Sequence, residues 1–404
     1  MGFYNKFTGG FFLLLGYYTT CTNLHAQHCI VSHEGAFINT IENVNTLPLI
    51  NTREAIIVPI VVHILWKYPE DNISREQVLS QIDALNKDFS ATNSNLSGVP
   101  EAFSPLIANA NIQFCLASKD EFGQPTSGIT RTNTTMDNIG TTKVGDEWVI
   151  HQSHYGGVHA WNQQKYINIW VGRCAAILGR ATMPTIPLAE DDGIVIDPRS
   201  FGTIGTASTG NYNKGKTLTH ELGHYFGLLH TWGSIPDECS EDDGIIDTPQ
   251  QYSNYVGCPT FPQYSCNTSD MFMNFMDYCH DECLRMFTPQ QVERMKQVLF
   301  IYRTELLTSK NTVCQQENYS KNEITEKINV FPNPAFDKLA ISFDFNLFQS
   351  IPIEIFNAQG KMVYQTLAFP PTVLTLPTTN WVAGAYIIRI KINSNNFIKK
   401  FIKK

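Results

Sequence analysis

The sequence predicts an α/β (α+β) domain with a twisted sheet and one motif-bearing helix, followed by a small all-β sandwich. Three observations carry that expectation. Apolar strand-like runs are interleaved with a few amphipathic helical stretches up to Leu307. Short β-rich runs separated by turns take over from Ile328. Between them, residues 311–327 are polar and read as a linker. The chain has 404 residues, 43% hydrophobic and 16% charged, which allows two or three domains with sizeable cores. Net charge is −8 and the only basic tract is the last few residues, so nucleic acid is not expected as a partner.

Lys6, the apolar Phe11–Leu15 and the cleavage-like Leu24-His25-Ala26 make residues 1–26 an export signal. The apolar run is too short to span a membrane. A lipid anchor on Cys21 is a second option, although Tyr18-Thr19-Thr20 is a poor lead-in. Residues 27–52 are polar with little periodicity and read as a pro-segment or loose arm. Export permits disulfides. Losing Cys21 with the signal leaves nine of the ten cysteines, hence one spare thiol, and Cys29 stands alone near the mature N-terminus.

Ala55–Trp66 ("AIIVPIVVHILW") is a buried strand, in which His63 reads as a satisfied core residue. Ser74 caps a helix on which Val78, Ile82, Leu85 and Phe89 recur at helical spacing. "NIQFCLA", Tyr166–Gly172 and Gly193–Asp197 read as further strands, and His151, His154 and His159 as loop residues without metal. A helix follows from Thr217. Thr288–Leu307 is a final amphipathic helix, capped by Thr288 with Pro289 in its first turn. From residue 328, "INVFPNP", "LAISFDF", "IPIEIFNAQGKMVY", "GAYIIRIKI" and "NFIKKFIKK" are spaced as sandwich strands.

Residues 210–230, "GNYNKGKTLTHELGHYFGLLH", hold two overlapping patterns. Gly210–Thr217 fits the phosphate loop G-x-x-x-x-G-K-[ST]; His220–His230 fits the zinc pattern H-E-x-x-H-x-x-G-x-x-H. The zinc pattern is far rarer by chance. A phosphate loop also needs an apolar strand leading into it, and the lead-in "FGTIGTASTG" is small and polar. Nucleotide binding is therefore not expected, and Lys214–Thr217 reads as a surface turn and helix cap. On a helix, His220 and His224 face the same way. Gly227 lets the chain turn sharply, which swings His230 back as a third ligand. Three imidazoles leave one zinc position open, as catalytic sites do. Glu221, beside the first ligand, is placed to act as general base.

In these residues the chain resembles the pappalysin family of metzincin metallopeptidases, whose zinc motif is followed by a Met-containing turn. "HELGHYFGLLH", "GIIDTP", "GCP", "NFMDYCHDEC" and "FTPQQVERM" carry the likeness across about residues 55–308, within a peptidase domain read as 53–310. The resemblance implies a metzincin-like catalytic domain acting on protein or peptide substrates. It implies zinc on His220, His224 and His230, with Glu221 as base and then acid. Met276 would lie under the metal, as a plain core Met also would. Tyr278 would stabilise the oxyanion. Strand Tyr166–Gly172 would pair with substrate as an edge strand, or simply be buried. Asp243, the Ile246 carbonyl and Thr248 match calcium-binding positions, against a solvated acidic loop. The family pattern implies disulfides Cys239–Cys266 and Cys258–Cys283, leaving Cys115–Cys174 and Cys279–Cys314 as one arrangement of the rest. Asp281 and Glu282 match the pocket for the residue after the scissile bond, where acid favours Arg or Lys, or they are a solvated pair. Cutting at Thr52-Arg53 would place Arg in that pocket and release the pro-segment. Cys29 is either the latency thiolate on the metal or an unpaired cysteine. The rival class is a non-catalytic exported adhesion or binding protein on a protease scaffold.

"VFPNPAFDKLAISFD", "IEIFNAQGKMVY", "GAYIIRI" and "FIKKFIKK" resemble the C-terminal sorting domain of type IX secretion cargo. That implies a β-sandwich over residues 328–404, recognised by outer-membrane secretion machinery, on a protein exported through the periplasm to the medium or cell surface. A carbohydrate- or protein-binding sandwich is the alternative.

Overall fold

The computed structural model describes residues 29–32, 55–240, 242–314, 320–345, 351–368, 373–392 and 395–404. The predicted signal and the Thr52-Arg53 bond lie outside them. No helix among the described residues is long and apolar enough to cross a membrane.

The first sheet contains β1 (Cys29–Ser32), β2 (Ile56–Trp66), β3 (Ile112–Leu116), β4 (Ile129–Asn133), β7 (Ile167–Val171), β8 (Gly179–Thr182) and β9 (Ile194–Ile196). The hairpin β5–β6 (Lys143–Val144, Glu147–Trp148) sits outside it. Strand order is β1-β8-β9-β7-β2-β3, with β4 continuing beyond β3 along β2. All pairings are parallel except β8 with β9. β2 is buried almost throughout, which its unbroken apolar run requires of a strand covered on both faces. One face packs on α1 (Arg75–Phe89), capped by Ser74 accepting from Gln77 N, and on α2 (Lys216–Tyr225). The other face is covered by Ile139, Val149, Ile150 and Trp170.

One strand reading is corrected. Tyr166–Gly172 is no edge: β7 pairs with β2 on one side and β9 on the other, and all five of its residues are buried. A continuous apolar run belongs to a central parallel strand. The sheet ends instead on β1, laid parallel along β8, Gly-Arg-Ala-Thr, which is too short and too polar to read as a strand.

After α2, a loop region holds the hairpin β10–β11 (Tyr264–Ser265, Thr268–Ser269), followed by α3 (Pro289–Tyr302). Thr288 caps α3 reciprocally with Gln291. The predicted single helix breaks at Arg303, and α4 (Thr304–Val313) follows. The break serves a buried contact, in which the Arg303 guanidinium grips both oxygens of Asp192 at 2.7 and 2.8 Å. The stretch read as linker therefore begins in a helix and includes α5 (Lys321–Glu326).

Disulfides join Cys239–Cys266, Cys258–Cys283 and Cys115–Cys314. The last replaces both leftover pairings: α4 crosses β2 and carries Cys314 to β3, a long-range placement with no local signal. Three described cysteines, Cys29, Cys174 and Cys279, are buried outside any disulfide, rather than one.

The C-terminal part has its own core, including Ile341, Ile353, Ile355, Ile388, Ile390 and Phe401. Two antiparallel sheets enclose it: β12 (Ile328–Phe331), β13 (Lys338–Phe343) and β16 (Val373–Pro377); and β14 (Ile351–Asn357), β15 (Met362–Ala368), β17 (Gly384–Ile392) and β18 (Asn395–Lys403). Burial alternates along β13, β17 and β18, as one-sided sheets require.

Candidate metal centre

Helix α2 is anchored at its start by buried acids. Gly215 precedes it with φ +74°, a left-handed conformation that favours glycine. Asp281 Oδ2 accepts from the backbone N–H of Lys214 at 2.7 Å and of Lys216 at 3.2 Å, so a carboxylate already fills the helix N-terminus where a phosphate would bind. The Lys216 ammonium is buried against Asp88, and Thr219 Oγ1 donates to the other Asp88 oxygen at 2.6 Å. Lys214–Thr217 is a surface turn only at its start: Lys214 is exposed and Gly215 caps the helix, but Lys216 and Thr217 are buried, and the lysine of the phosphate pattern is committed inside the fold.

The spacing of the zinc pattern then acts through geometry. His220 Nδ1 donates to Phe275 O at 2.7 Å, and His224 Nδ1 donates to Leu228 O at 2.8 Å. Both bonds turn Nε2 inward as the lone-pair atom. Gly227, φ +83°, ends the helix and returns the chain, so that His230 Nε2 stands 3.1 Å from His224 Nε2; His220 Nε2 is 3.0 Å from His224 Nε2. Cys29 Sγ lies 3.4, 3.6 and 3.2 Å from the Nε2 atoms of His220, His224 and His230. Nitrogens on one tetrahedral zinc would stand roughly 3.3 Å apart, and sulfur and nitrogen roughly 3.5 Å. The donor set and its spacings fit that ion. Among the described residues, these four alone gather three or more His, Cys, Asp or Glu ligand atoms within 4.8 Å of one another.

Glu221 is fully buried and neither carboxylate oxygen has a hydrogen-bond partner. Burial pushes its pKa well above the usual range, opposed by the Arg180 charge. Gly179 on β8 makes its space, because a Cβ there would lie 2.6 Å from Glu221 Oε1. Met276 is fully buried beneath the helix, and a Cβ on Gly223 would collide with its sulfur. The Tyr278 hydroxyl is 3.1 Å from Cys29 Sγ, and burial, then the thiol, raises its pKa.

Of the acidic pair, only Asp281 lines the small cavity beside His220 and Glu221, with Tyr212, Thr217, Cys279 and Leu284. Its Oδ1 is buried without a partner, and burial lifts its pKa to about 6. Glu282 is not in that lining: its side chain is 74% exposed and pairs with Lys214 at 3.6 Å. Adjacent residues here point apart, which sequence order alone does not reveal. Asp243 and Thr248 share one turn, Thr248 Oγ1 lying 2.8 Å from both Asp243 oxygens, while the Ile246 side chain is 90% exposed. His63 is buried between Thr130 and Asn168 at 2.8 and 3.0 Å, and burial lowers its pKa to about 4. His151 is buried too, receiving Arg180 Nη2 at 2.8 Å, rather than sitting on an open loop.

Sequence reasoning missed Asp88, Gly179 and Asp277. Asp277 accepts from Gln251 Nε2 and from the N–H groups of Tyr255 and Tyr278, which fixes the backbone at the tyrosine.

Comparison with known proteins places this geometry. An extracellular metalloprotease of Arthroderma benhamiae is 30% identical over 238 residues, 58% of this chain and 74% of that protein. A promirolysin mutant from Tannerella forsythia is 36% identical, covering 72% of this chain and 100% of that one, with a TM-score of 0.66. The chain belongs to the pappalysin family of metzincin metallopeptidases. The family profile described as pregnancy-associated plasma protein-A, peptidase M43, matches residues 153–300. Mature Tannerella forsythia mirolysin in complex with a cleaved peptide is 40% identical over 64% of this chain and 96% of that one, TM-score 0.59. A secretion system C-terminal sorting domain matches residues 329–404. This metzincin is accordingly a secreted metalloendopeptidase with a secretion-sorting tail, and its family implies a catalytic zinc.

Proposed function

We propose that this peptidase is made as a latent zymogen, activates itself by cutting Thr52-Arg53, and favours Arg or Lys after the scissile bond. His220, His224 and His230 would hold zinc, which when bound supplies Lewis acidity at the site. Glu221 takes the proton of an attacking water as its oxygen adds to the peptide carbonyl. It returns that proton to the leaving amine as the C–N bond breaks. Its place supports both roles, since the carboxylate is buried beside His220 with neither oxygen engaged in another hydrogen bond. Tyr278 supports the oxyanion.

The observation that carries latency is the Cys29 sulfur, within 3.6 Å of all three imidazole nitrogens and 3.1 Å from the Tyr278 hydroxyl. The same segment lies along β8 on the side where substrate backbone would add as a strand. The basic preference rests on Asp281 alone, through its unpartnered Oδ1 in the adjoining cavity. Residues 1–26 serve as signal and 27–52 as pro-segment. The peptidase domain spans 53–310, and 311–327 joins it to the sorting domain, 328–404. That domain engages outer-membrane machinery after passage through the periplasm. Asp243, the Ile246 carbonyl and Thr248 contribute to a calcium site.

Incubating the purified full chain and sequencing its new N-termini tests this. Cleavage before Arg53 is expected, lost in Glu221→Gln and faster in Cys29→Ser. An unprocessed wild type contradicts self-activation, and equal rates with and without the Cys29 thiol contradict latency. A cleavage profile without Arg or Lys after the cut contradicts the pocket.

A further inference from the structure

Two residues past the third imidazole, Trp232 is 4% exposed and lies flat on the His230 ring, with centroids 4.4 Å apart and planes 5° from parallel. The same indole meets the Tyr278 ring at 4.9 Å and 76°. A tight turn folds it back: Gly233 N donates to His230 O at 2.9 Å, and Gly233 has φ +78°. A Cβ there would come within 2.9 Å of the Asp242 backbone. His-Thr-Trp-Gly thus builds a turn whose first and third side chains stack.

We propose that Trp232 is a positioning residue of the metal centre, holding the His230 ring plane and Tyr278 in one arrangement; this rests on the zinc reading above. His220 and His224 take their orientation from the backbone carbonyls of Phe275, in the distant Met-containing stretch, and of Leu228, just past the helix. His230 lies past the helix end, where a face contact restrains the ring because rotating the imidazole about its own bond destroys the stack. An imidazole that gives its lone pair to a cation becomes electron-poor, and the electron-rich indole face favours that state. The stack is therefore stronger in the loaded protein than in the empty one. Because the indole also touches Tyr278, its loss acts on turnover as well as on metal affinity.

The test uses Trp232→Leu and Trp232→Phe in the full chain and in the processed enzyme. Zinc affinity is read by competition with a chelator, kcat and KM separately on a peptide, and unfolding on zinc-free protein. Trp232→Leu is expected to weaken zinc roughly tenfold or more and to lower kcat more than KM changes. The stability gained on adding zinc should shrink in Trp232→Leu beyond the packing lost in the zinc-free protein, and Trp232→Phe, which keeps a ring face, should recover most of the affinity. Wild-type zinc affinity in Trp232→Leu, or a phenylalanine variant as weak as the leucine one, overturns the proposal. If the leucine variant does not fold, fluorescence decides. Zinc should alter the emission of zinc-free wild type and not of Trp232→Phe, and the same change in both overturns it. A wild type that binds no zinc would instead sink the metal reading itself.

Discussion

The peptidase part and the sorting domain bury different things. The sandwich encloses an aliphatic and aromatic core and keeps its ion pairs at the rim, as where Glu354 bonds Arg389 and Lys391. The peptidase part buries Asp88 with Lys216, Asp192 with Arg303, and Glu221 with no hydrogen-bond partner at all. A buried unpaired acid destabilises the fold, so it marks where chemistry rather than stability set the residue. The paired acids around α2 hold that helix while its carboxylate and imidazoles stay exposed to one another.

Glu221→Gln gives the largest expected effect: peptide hydrolysis falls at least a hundredfold, about the general-base contribution, while zinc content stays unchanged and the melting temperature rises. Retained activity would break the contrast. Next comes Asp88→Asn, which strands the buried Lys216 ammonium and should cost about 3–5 kcal/mol in denaturant unfolding. Glu354→Gln in the sandwich should cost about 1 kcal/mol or less. Equal losses at both positions would erase the difference between the two regions.

The pH dependence sharpens it. His63 titrates at about 4 in the fold and at about 6.5 in the unfolded chain, so the unfolded state takes up the proton first on acidification. Its stabilising contribution is full above pH 6.5 and is lost as pH falls towards 4. The peptidase part should lose about 2 kcal/mol between pH 7.5 and 5 through this group, a slope absent in His63→Gln.

The two parts also differed in legibility. The sandwich strands were readable because period-two alternation is local. The convergence of the three imidazoles was readable because one helix, Gly227 and His230 lie within eleven residues. What surrounds it was not. Asp88 meets Lys216 across 128 positions, Asp281 caps a helix 65 residues earlier, and Cys115 pairs with a cysteine 199 residues away. The edge was misplaced because burial makes β7 look most strand-like, while β8, along which β1 is laid, needs Gly179 to clear Glu221.

X-ray absorption at the zinc edge of the latent full chain tests the account most directly. It should show three nitrogen scatterers and one sulfur at about 2.3 Å, and Cys29→Ser should lose only the sulfur. A zinc without sulfur in the unprocessed wild type, or one bound by other than three imidazoles, would contradict it.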